Sequence, residues 1–208
     1  MGKLKMRKFR IMEHISLDGA ISLGGPGEYS NDFANGGWTA PYRSPAGREA
    51  VIEAQGTSFD LLLGRRTYDL WAGFWPKAGN SPMASGLNAA TKYIATHRPD
   101  SLEWGPVKDL GADIIEGVRD IKSEGGPDLF VWGSSTLTSV LLGQGWGDEV
   151  VLMIYPVLLG RRKRFFSDRA DPHELALVGT QATSSGVLIN TYRPVGSLRT
   201  EPPAAASG

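Results

Sequence analysis

Two segments of the chain share one design, in which an apolar strand runs into a glycine, then into hydroxyl or cationic residues and a helical pattern. They are 60–68, DLLLGRRTY, and 129–137, LFVWGSSTL. A helix start presents unpaired backbone N–H groups and a positive dipole end, and a glycine before it lets an anion approach the backbone closely. Two such turns on one sheet predict a dinucleotide stretched across the sheet edge.

Both turns supply candidate phosphate contacts. The arginines of the first turn carry forked donors suited to phosphate oxygens. They could also be ordinary surface cations, and Gly133 could be a simple strand-to-helix hinge. The fit of Arg65 and Arg66 to their neighbours favours phosphate contact for at least one of them. The expected contacts are Gly64, Arg65, Arg66 and Thr67 in the first turn, and Gly133, Ser134, Ser135 and Thr136 in the second.

Composition is that of a single enzyme-sized domain. The 208 residues are 41% hydrophobic and 21% charged, enough for one substantial core. Lys plus Arg and Asp plus Glu both number 22, so no global field favours nucleic acid or an anionic membrane. The absence of cysteine excludes disulfides, thiolate zinc sites and a cysteine nucleophile. Three widely spaced histidines give no support for a metal site.

No targeting or spanning segment is expected. The basic start is followed by a strand-like stretch that Glu13 and His14 interrupt before a signal-peptide core can form. The longest apolar run, 150–159, contains Pro156 and is too short to span a membrane. A cytoplasmic location is the resulting expectation.

Strands and helices alternate along the chain. A helix is expected from Pro45, another at 67–71, a third carrying Val118 and Ile121, and a fourth carrying the stripe 137, 140 and 141. The segment 73–85 is expected to be irregular, and the segment 196–208 is expected to be a disordered tail. Strands are expected at 9–17, 61–63, 92–95, 113–115, 129–131 and 149–155, with a terminal antiparallel hairpin at 175–181 and 187–193.

The long glycine-rich loop at 22–43 carries several aromatic residues, including Phe33 and Trp38. Loops of this length in compact domains are usually functional lids or disordered. The aromatic residues favour a loop that covers substrate, with Phe33 and Trp38 as contacts. The alternative is that these two rings only pin the loop to the domain.

Several common motifs are absent. The chain has no G-x-G-x-x-G, G-x-x-x-x-G-K, G-x-S-x-G or H-E-x-x-H. A classical dinucleotide fold, a nucleoside triphosphatase, an α/β-hydrolase and a zinc protease are therefore disfavoured.

Five segments in order carry a family resemblance. They are SLDG at 16–19, LGRRTY at 63–68, TH at 96–97, GSS at 133–135, and DE at 148–149 followed by PVLLG at 156–160. They resemble the dihydrofolate reductase superfamily, in the branch that contains the reductase domain of the bifunctional riboflavin-biosynthesis deaminase/reductase. The resemblance covers most of the chain, and a reductase domain is expected at 7–195.

The resemblance implies an α/β fold that is dihydrofolate-reductase-like, with a central, mostly parallel sheet flanked by helices and closed by a C-terminal antiparallel hairpin. It implies NADPH as hydride donor, a pterin- or pyrimidine-like small-molecule substrate, and a homodimer. Thr96, His97 and Arg98 follow the third strand, where they would meet the adenosine 2′-phosphate. Solvated loop charges are the equal alternative for His97 and Arg98.

The substrate half of the resemblance is weaker. Related riboflavin reductases usually carry a lysine where this chain has Met12 and an acidic residue where it has Trp132, and Trp132 is expected to contact substrate. Protonation is assigned to water ordered by Asp18 or to Glu49, a choice that the sequence leaves open. Asp18 could instead serve only an Asp-Gly turn.

Two other functions compete with an NADPH-dependent reductase. The cofactor motifs are better matched than any catalytic carboxylate, so the same fold could be a non-catalytic nucleotide-binding dimer. A binder of flavin or another mononucleotide is the third interpretation.

Overall fold

The computed structural model describes residues 6–21, 37–160, 162–166 and 172–199. Five helices lie within these residues: α1 Pro45–Gln55, α2 Arg65–Phe74, α3 Pro82–Ala89, α4 Ile114–Ser123 and α5 Ser135–Gly143. Eight strands accompany them: β1 Phe9–Ser16, β2 Phe59–Gly64, β3 Lys92–Ala95, β4 Val107–Asp109, β5 Asp128–Trp132, β6 Gly147–Tyr155, β7 His173–Ala182 and β8 Leu188–Ser197.

The eight strands form one sheet in the order β4-β3-β2-β5-β1-β6-β8-β7. The six strands from β4 to β6 pair in parallel, and β8 then pairs antiparallel with both β6 and β7. The expected mostly parallel sheet with an antiparallel C-terminal hairpin is therefore confirmed.

The apolar runs of the central strands supply two cores, one on each face of the sheet. On β2, Leu61 and Leu63 belong to one core and Leu62 to the other, because successive strand side chains point to opposite faces. The first core includes buried residues of α1, α2 and α3, whereas the second includes buried residues of α4 and α5. Helices therefore cover both faces, which suits a buried parallel sheet.

The expected strand at 113–115 is wrong, because this segment begins a helix. The Asp113 carboxylate accepts hydrogen bonds from the backbone N–H groups of Ile115 (2.9 Å) and Glu116 (3.1 Å), and so caps α4. Val107–Asp109 forms the fourth strand instead, with Val107 opposite Lys92 of β3. The two isoleucines after Asp113 have high β-propensity, and the capping aspartate overrides it.

The segment 73–85 is more regular than expected. Helix α2 continues to Phe74, a short 3₁₀ turn follows, and α3 begins at Pro82. The Ser81 hydroxyl accepts a hydrogen bond from the N–H of Ala84 at 3.2 Å, so Ser81 and Pro82 form a standard helix start. At the other end of the chain, β8 extends to Ser197, two residues into the segment expected to be a tail.

The strand order creates a crevice at the carboxyl ends of the central strands. From β1 the chain crosses to β2, β3 and β4 on one side, and β6 lies on the other side of β1. Open α/β sheets bind ligands at such reversals of strand order. Both glycine turns, one after β2 and one after β5, open into this crevice.

Candidate active site

A cleft of about 660 Å³ lies along the carboxyl ends of β1, β2 and β5. One side is polar and consists of the two glycine turns. The other side is apolar and comes from α1, α2, the short 3₁₀ turn after α2, α3 and the end of β5. Trp71, Trp75 and Trp132 are prominent among its residues. A polar cradle joined to an apolar wall suits a ligand that has an anionic part and a flat, weakly polar part.

The turn after β2 leaves the start of α2 open to a ligand. Gly64 occupies the N-cap position, and no side chain caps the first N–H groups of the helix. Arg66 is exposed and lines the cleft, and its guanidinium makes no ion pair with any described residue. An uncapped helix start beside an unpaired guanidinium is an arrangement that binds phosphate.

Arg65 has a different role from its neighbour. Its Nε donates to Asp69 Oδ1 at 2.7 Å, and its two terminal nitrogens donate to the carbonyl of Arg98 and to the hydroxyl of Ser101. The guanidinium is therefore engaged with protein on all three nitrogens. Arg65 ties the start of α2 to the loop after β3, and Arg66 is the arginine available to a ligand.

The turn after β5 has two consecutive left-handed residues. Gly133 has a φ of 62° and Ser134 has a φ of 57°, which is uncommon for a residue with a Cβ. The Ser134 hydroxyl accepts a long hydrogen bond of 3.4 Å from the N–H of Leu137, at the start of α5. Gly133 and Ser134 both line the cleft.

The two turns pack directly against each other. A Cβ on Gly64 would lie 2.5 Å from Ser134 Oγ, and a Cβ on Gly133 would lie 2.9 Å from Thr67 Oγ1. Both positions therefore require glycine because the two turns approach each other closely, and position 133 also requires it because its φ is positive. The sequence-based pairing of these turns into one polar cradle agrees with this geometry.

Other residues expected at the cofactor lie outside the cleft wall. Thr96 is buried and its hydroxyl accepts a hydrogen bond from the N–H of Arg98 at 3.0 Å, whereas His97 and Arg98 are exposed. Arg98 pairs with Asp69 at 3.6 Å. Ser135 is buried, so Thr136 is the helix residue that reaches the cleft after Ser134.

Neither carboxylate expected to act in protonation lines the cleft. Asp18 accepts hydrogen bonds from the Ser16 hydroxyl and from the N–H groups of Leu159 (3.2 Å) and Gly160 (2.8 Å). The Ser16 hydrogen bond is the main cause of a lowered pKa for Asp18. Asp18 thus fixes the end of β1 to the loop after β6, as the turn alternative held. Glu49 is exposed on α1, on a side of the helix that does not line the cleft.

Of the aromatic residues expected to contact substrate, only Trp132 is found in the lining of the cleft within the described residues. Trp132 lines the cleft and is almost fully buried. Trp38 packs edge-on against Tyr155, with ring centroids 5.1 Å apart, and lies behind the cleft wall. Phe33 lies outside the described residues. Met12 is fully buried in the core beneath the cleft, opposite Trp132 in the β1–β5 register.

Sequence reasoning missed two residues near the end of β1, Glu13 and His14, both of which line the cleft. His14 Nδ1 lies 2.9 Å from the hydroxyl of Tyr155, another residue of the wall. Burial and, secondarily, the charge of Arg43 lower the pKa of His14 to about 4. A histidine close to the carboxyl end of a central parallel strand was the available signal.

Three nitrogen donors are buried in the cleft wall without an acceptor among the described residues. They are the indole Nε1 atoms of Trp75 and Trp132 and the side-chain amide of Gln55. An unpaired buried donor is unfavourable by about 1–3 kcal/mol, so each of these groups requires an acceptor that the described residues do not supply.

The chain matches the model of the RibD C-terminal domain over residues 7–189. It belongs to this family. The uncharacterized protein YyaP of Bacillus subtilis (strain 168) is 29% identical over 136 residues, which is 64% of this chain and 72% of YyaP. The family and the fold support a reductase.

Solved structures share this fold at low identity. A Shewanella sp. PV-4 protein named for riboflavin biosynthesis has a TM-score of 0.65 at 18% identity, covering 90% of this chain and 99% of that one. Dihydrofolate reductase from Enterococcus faecalis, complexed with NADP(H), has a TM-score of 0.59 at 16% identity, covering 90% and 96%. The Thermotoga maritima deaminase/5-amino-6-(5-phosphoribosylamino)uracil reductase has a TM-score of 0.61 at 15% identity, covering 91% and 57%.

The described residues contain neither a membrane-spanning helix nor a cluster of metal-ligating side chains. No helix among them has the length and apolar character needed to cross a bilayer. Within the same ranges, no three histidine, aspartate or glutamate side chains cluster as a metal site would require.

Proposed function

We propose that this protein is an NADPH-dependent reductase that transfers hydride to a flat, acceptor-rich heterocycle. The observation that carries the proposal is the contact between two glycine turns in one cleft, each at the start of a helix. Gly64 and Gly133 let the two turns pack against each other without intervening side chains, and Arg66 adds a guanidinium that makes no ion pair with any described residue. When bound there, a dihydronicotinamide supplies the hydride.

Selectivity for NADPH over NADH is part of this proposal. The start of α2 is flanked by Arg66 and by the exposed pair His97 and Arg98 on the neighbouring loop. A 2′-phosphate would gain charge-assisted hydrogen bonds from such cations, whereas a free ribose hydroxyl would not.

The apolar wall supports the substrate class. Trp132 and Trp75 offer stacking surface, and with Gln55 they carry the three donors that have no acceptor among the described residues. A pterin or pyrimidine ring has carbonyl oxygens and ring nitrogens that accept hydrogen bonds, and it is flat enough to stack on indole. Arg43 and Arg48 at the rim favour an anionic substituent.

A second candidate function is a non-catalytic nucleotide-binding protein, which would include a flavin or mononucleotide binder. The observation in its favour is that neither Asp18 nor Glu49 lines the cleft. The two proposals differ in turnover and agree on binding.

A turnover screen separates them. NADPH oxidation is followed with dihydrofolate and with the phosphorylated ribosylaminopyrimidine of the riboflavin pathway. Gly133→Val serves as the blocked variant, since its Cβ would meet Thr67. Gly145→Val is the matched control, because Gly145 also has a positive φ but its Cβ would meet nothing within 4 Å. Oxidation that Gly133→Val abolishes and Gly145→Val retains supports the reductase; NADPH binding without oxidation supports the second candidate.

We also propose that two copies of the chain pair through β7. This edge strand is largely exposed, and Leu177 (56%) and Val178 (54%) are uncovered by any described residue. A long apolar edge strand is normally covered, and a two-fold axis lets one edge pair with itself. Light scattering should give a dimer for the wild type and for Leu158→Glu, an exposed control, and a monomer for Leu177→Glu. A monomeric wild type contradicts the pairing.

A further inference from the structure

His14 and Tyr155 form a hydrogen-bonded pair inside the cleft. On the paired strands β1 and β6, His14 is opposite Met153, and Tyr155 is two residues further along on the same face. The imidazole Nδ1 lies 2.9 Å from the phenol oxygen. Both residues line the cleft, and His14 is the more accessible of the two.

The pair fixes which imidazole nitrogen carries the proton. The Tyr155 ring is almost fully buried, and burial raises the pKa of Tyr155 to about 12, so its O–H remains protonated. Its one hydrogen-bond partner among the described residues is His14 Nδ1. A buried hydroxyl needs an acceptor for its proton, so Nδ1 accepts and the imidazole proton is on Nε2.

The imidazole is neutral at physiological pH. Burial is the main cause of its lowered pKa of about 4, and the cation of Arg43 adds to it. The other ionisable groups near it are Tyr155 and Glu13, whose carboxylate accepts the backbone N–H of His14 at 2.9 Å. Lys163 lines the same cleft and adds positive charge.

The imidazole is also close to the turn expected to hold the cofactor. Its ring stacks on Trp132, with centroids 5.7 Å apart and planes 30° apart, and Trp132 directly precedes Gly133. The pair therefore lies between the polar cradle and the apolar wall. That is where the reacting ends of a cofactor and a substrate would meet if the proposed function holds.

We propose that neutral His14 is a catalytic residue, donating a hydrogen bond from Nε2–H to the heteroatom of the C=N or C=O bond that is reduced. Tyr155 is the positioning residue that holds this tautomer. The hydride forms the new C–H bond, the π electron pair moves onto the heteroatom, and water delivers a proton there. His14 is neutral before and after the step. Neutral imidazoles polarise carbonyl groups in this way in other enzymes.

The tautomer and charge are testable without any substrate. Nitrogen–proton correlation NMR should show a histidine in the Nε2–H tautomer that gains charge only near pH 4, and this signal should be missing from His14→Gln. Tyr155→Phe, which removes only the hydroxyl, should convert it to a mixture of tautomers. An Nδ1–H tautomer would contradict the proposed hydrogen bond from Tyr155, and titration near pH 6.5 would contradict the neutral imidazole.

Kinetics test the polarising role with dihydrofolate or the phosphorylated ribosylaminopyrimidine, whichever the wild type reduces faster. His14→Ala should lower kcat about 100-fold with little change in KM, since the lost interaction forms in the transition state. His14→Gln keeps an N–H donor and should recover about tenfold of that loss. Tyr155→Phe should lower kcat about tenfold, and His173→Gln, at the start of β7 and outside the cleft lining, should match the wild type.

The outcomes separate this inference from the proposed function on which it rests. If His14→Ala has the kcat of the wild type, the polarising role of His14 is overturned, but the proposed reductase function is not. A wild type that binds NADPH but reduces neither probe contradicts the reductase function, and the role of His14 in reduction with it. Whichever kinetic result is obtained, the NMR experiment tests the hydrogen bond between His14 and Tyr155 independently.

Discussion

A Cβ on Gly64 would lie 2.5 Å from Oγ and 2.9 Å from Cβ of Ser134, although Gly64 ends β2 and Ser134 precedes α5. Gly64 has an ordinary φ of −73°, so its requirement for glycine is steric rather than conformational. Ser134 is the residue in the left-handed conformation. The two turns therefore constrain each other's side chains.

Gly64→Ala should destabilise the fold by about 1–3 kcal/mol through overpacking. Ser134→Gly removes both clashing atoms and suits the φ of 57°, so the double variant should recover most of that loss. Gly73→Ala on α2 is the matched control, because its Cβ would meet nothing within 4 Å, and it should be neutral or stabilising. Chemical denaturation measures all four variants. Additive effects of the two substitutions would contradict the contact.

Arg66→Ala should weaken NADPH binding about tenfold or more without lowering stability, since its guanidinium has no described partner to lose. Arg65→Ala should instead lower the free energy of unfolding by about 1–2 kcal/mol, because three hydrogen bonds are lost. Calorimetric titration and denaturation separate the two effects. Arg119→Ala, an exposed arginine on α4, should change neither quantity. Wild-type affinity in Arg66→Ala would remove this arginine from the phosphate site.

Stability should depend on pH through His14. The unfolded chain binds a proton at His14 near pH 6.5, whereas the folded chain does so only near pH 4. Between these values the unfolded state holds more protons, so the free energy of unfolding falls as pH falls, by up to about 3 kcal/mol. The difference between wild type and His14→Gln should therefore change across this window. A constant difference from pH 7 to pH 4 contradicts a lowered pKa for the His14 imidazole.

The riboflavin-pathway pyrimidine should be a poor substrate. The family resemblance implies a cation and an anion at the positions where this chain has Met12 and Trp132, and here Met12 is fully buried while Trp132 lines the cleft. A site that lacks two charged partners discriminates strongly against a substrate that needs them. Steady-state kinetics should give a kcat/KM below about 10⁴ M⁻¹s⁻¹. A value at or above that level restores the riboflavin assignment.

The sequence predicts correctly those helices and strands whose local residue preferences agree with their place in the fold. The strand at Lys92–Ala95 and the helix start at Ser44 and Pro45 are found where the residues predict them. Prediction failed at Asp113, where strand-forming isoleucines follow a capping side chain, and only the helical spacing to Val118 resolves the conflict. Local patterns do not contain the register between strands, which brings His14 beside Tyr155.

The candidate site divides in the same way. The glycine turns at Gly64 and Gly133 are local motifs, and the sequence identifies both. Arg65 and Arg66 have different roles because Arg65 donates to Ser101 and to the carbonyl of Arg98, which the fold brings to α2 from another loop. Asp18 is a candidate for ordering a proton-donating water, yet its carboxylate accepts hydrogen bonds from the N–H groups of Leu159 and Gly160. Such long-range partners are a property of the fold and have no signal in a single sequence.

Calorimetric titration with NADPH and with NADH tests the central claim most directly. Charge-assisted hydrogen bonds from the cations near α2 to a 2′-phosphate are worth about 1.5–3 kcal/mol, so the Kd for NADPH should be at least about tenfold lower than that for NADH. Equal affinities for the two cofactors, or binding of neither, would contradict an NADPH site in this cleft.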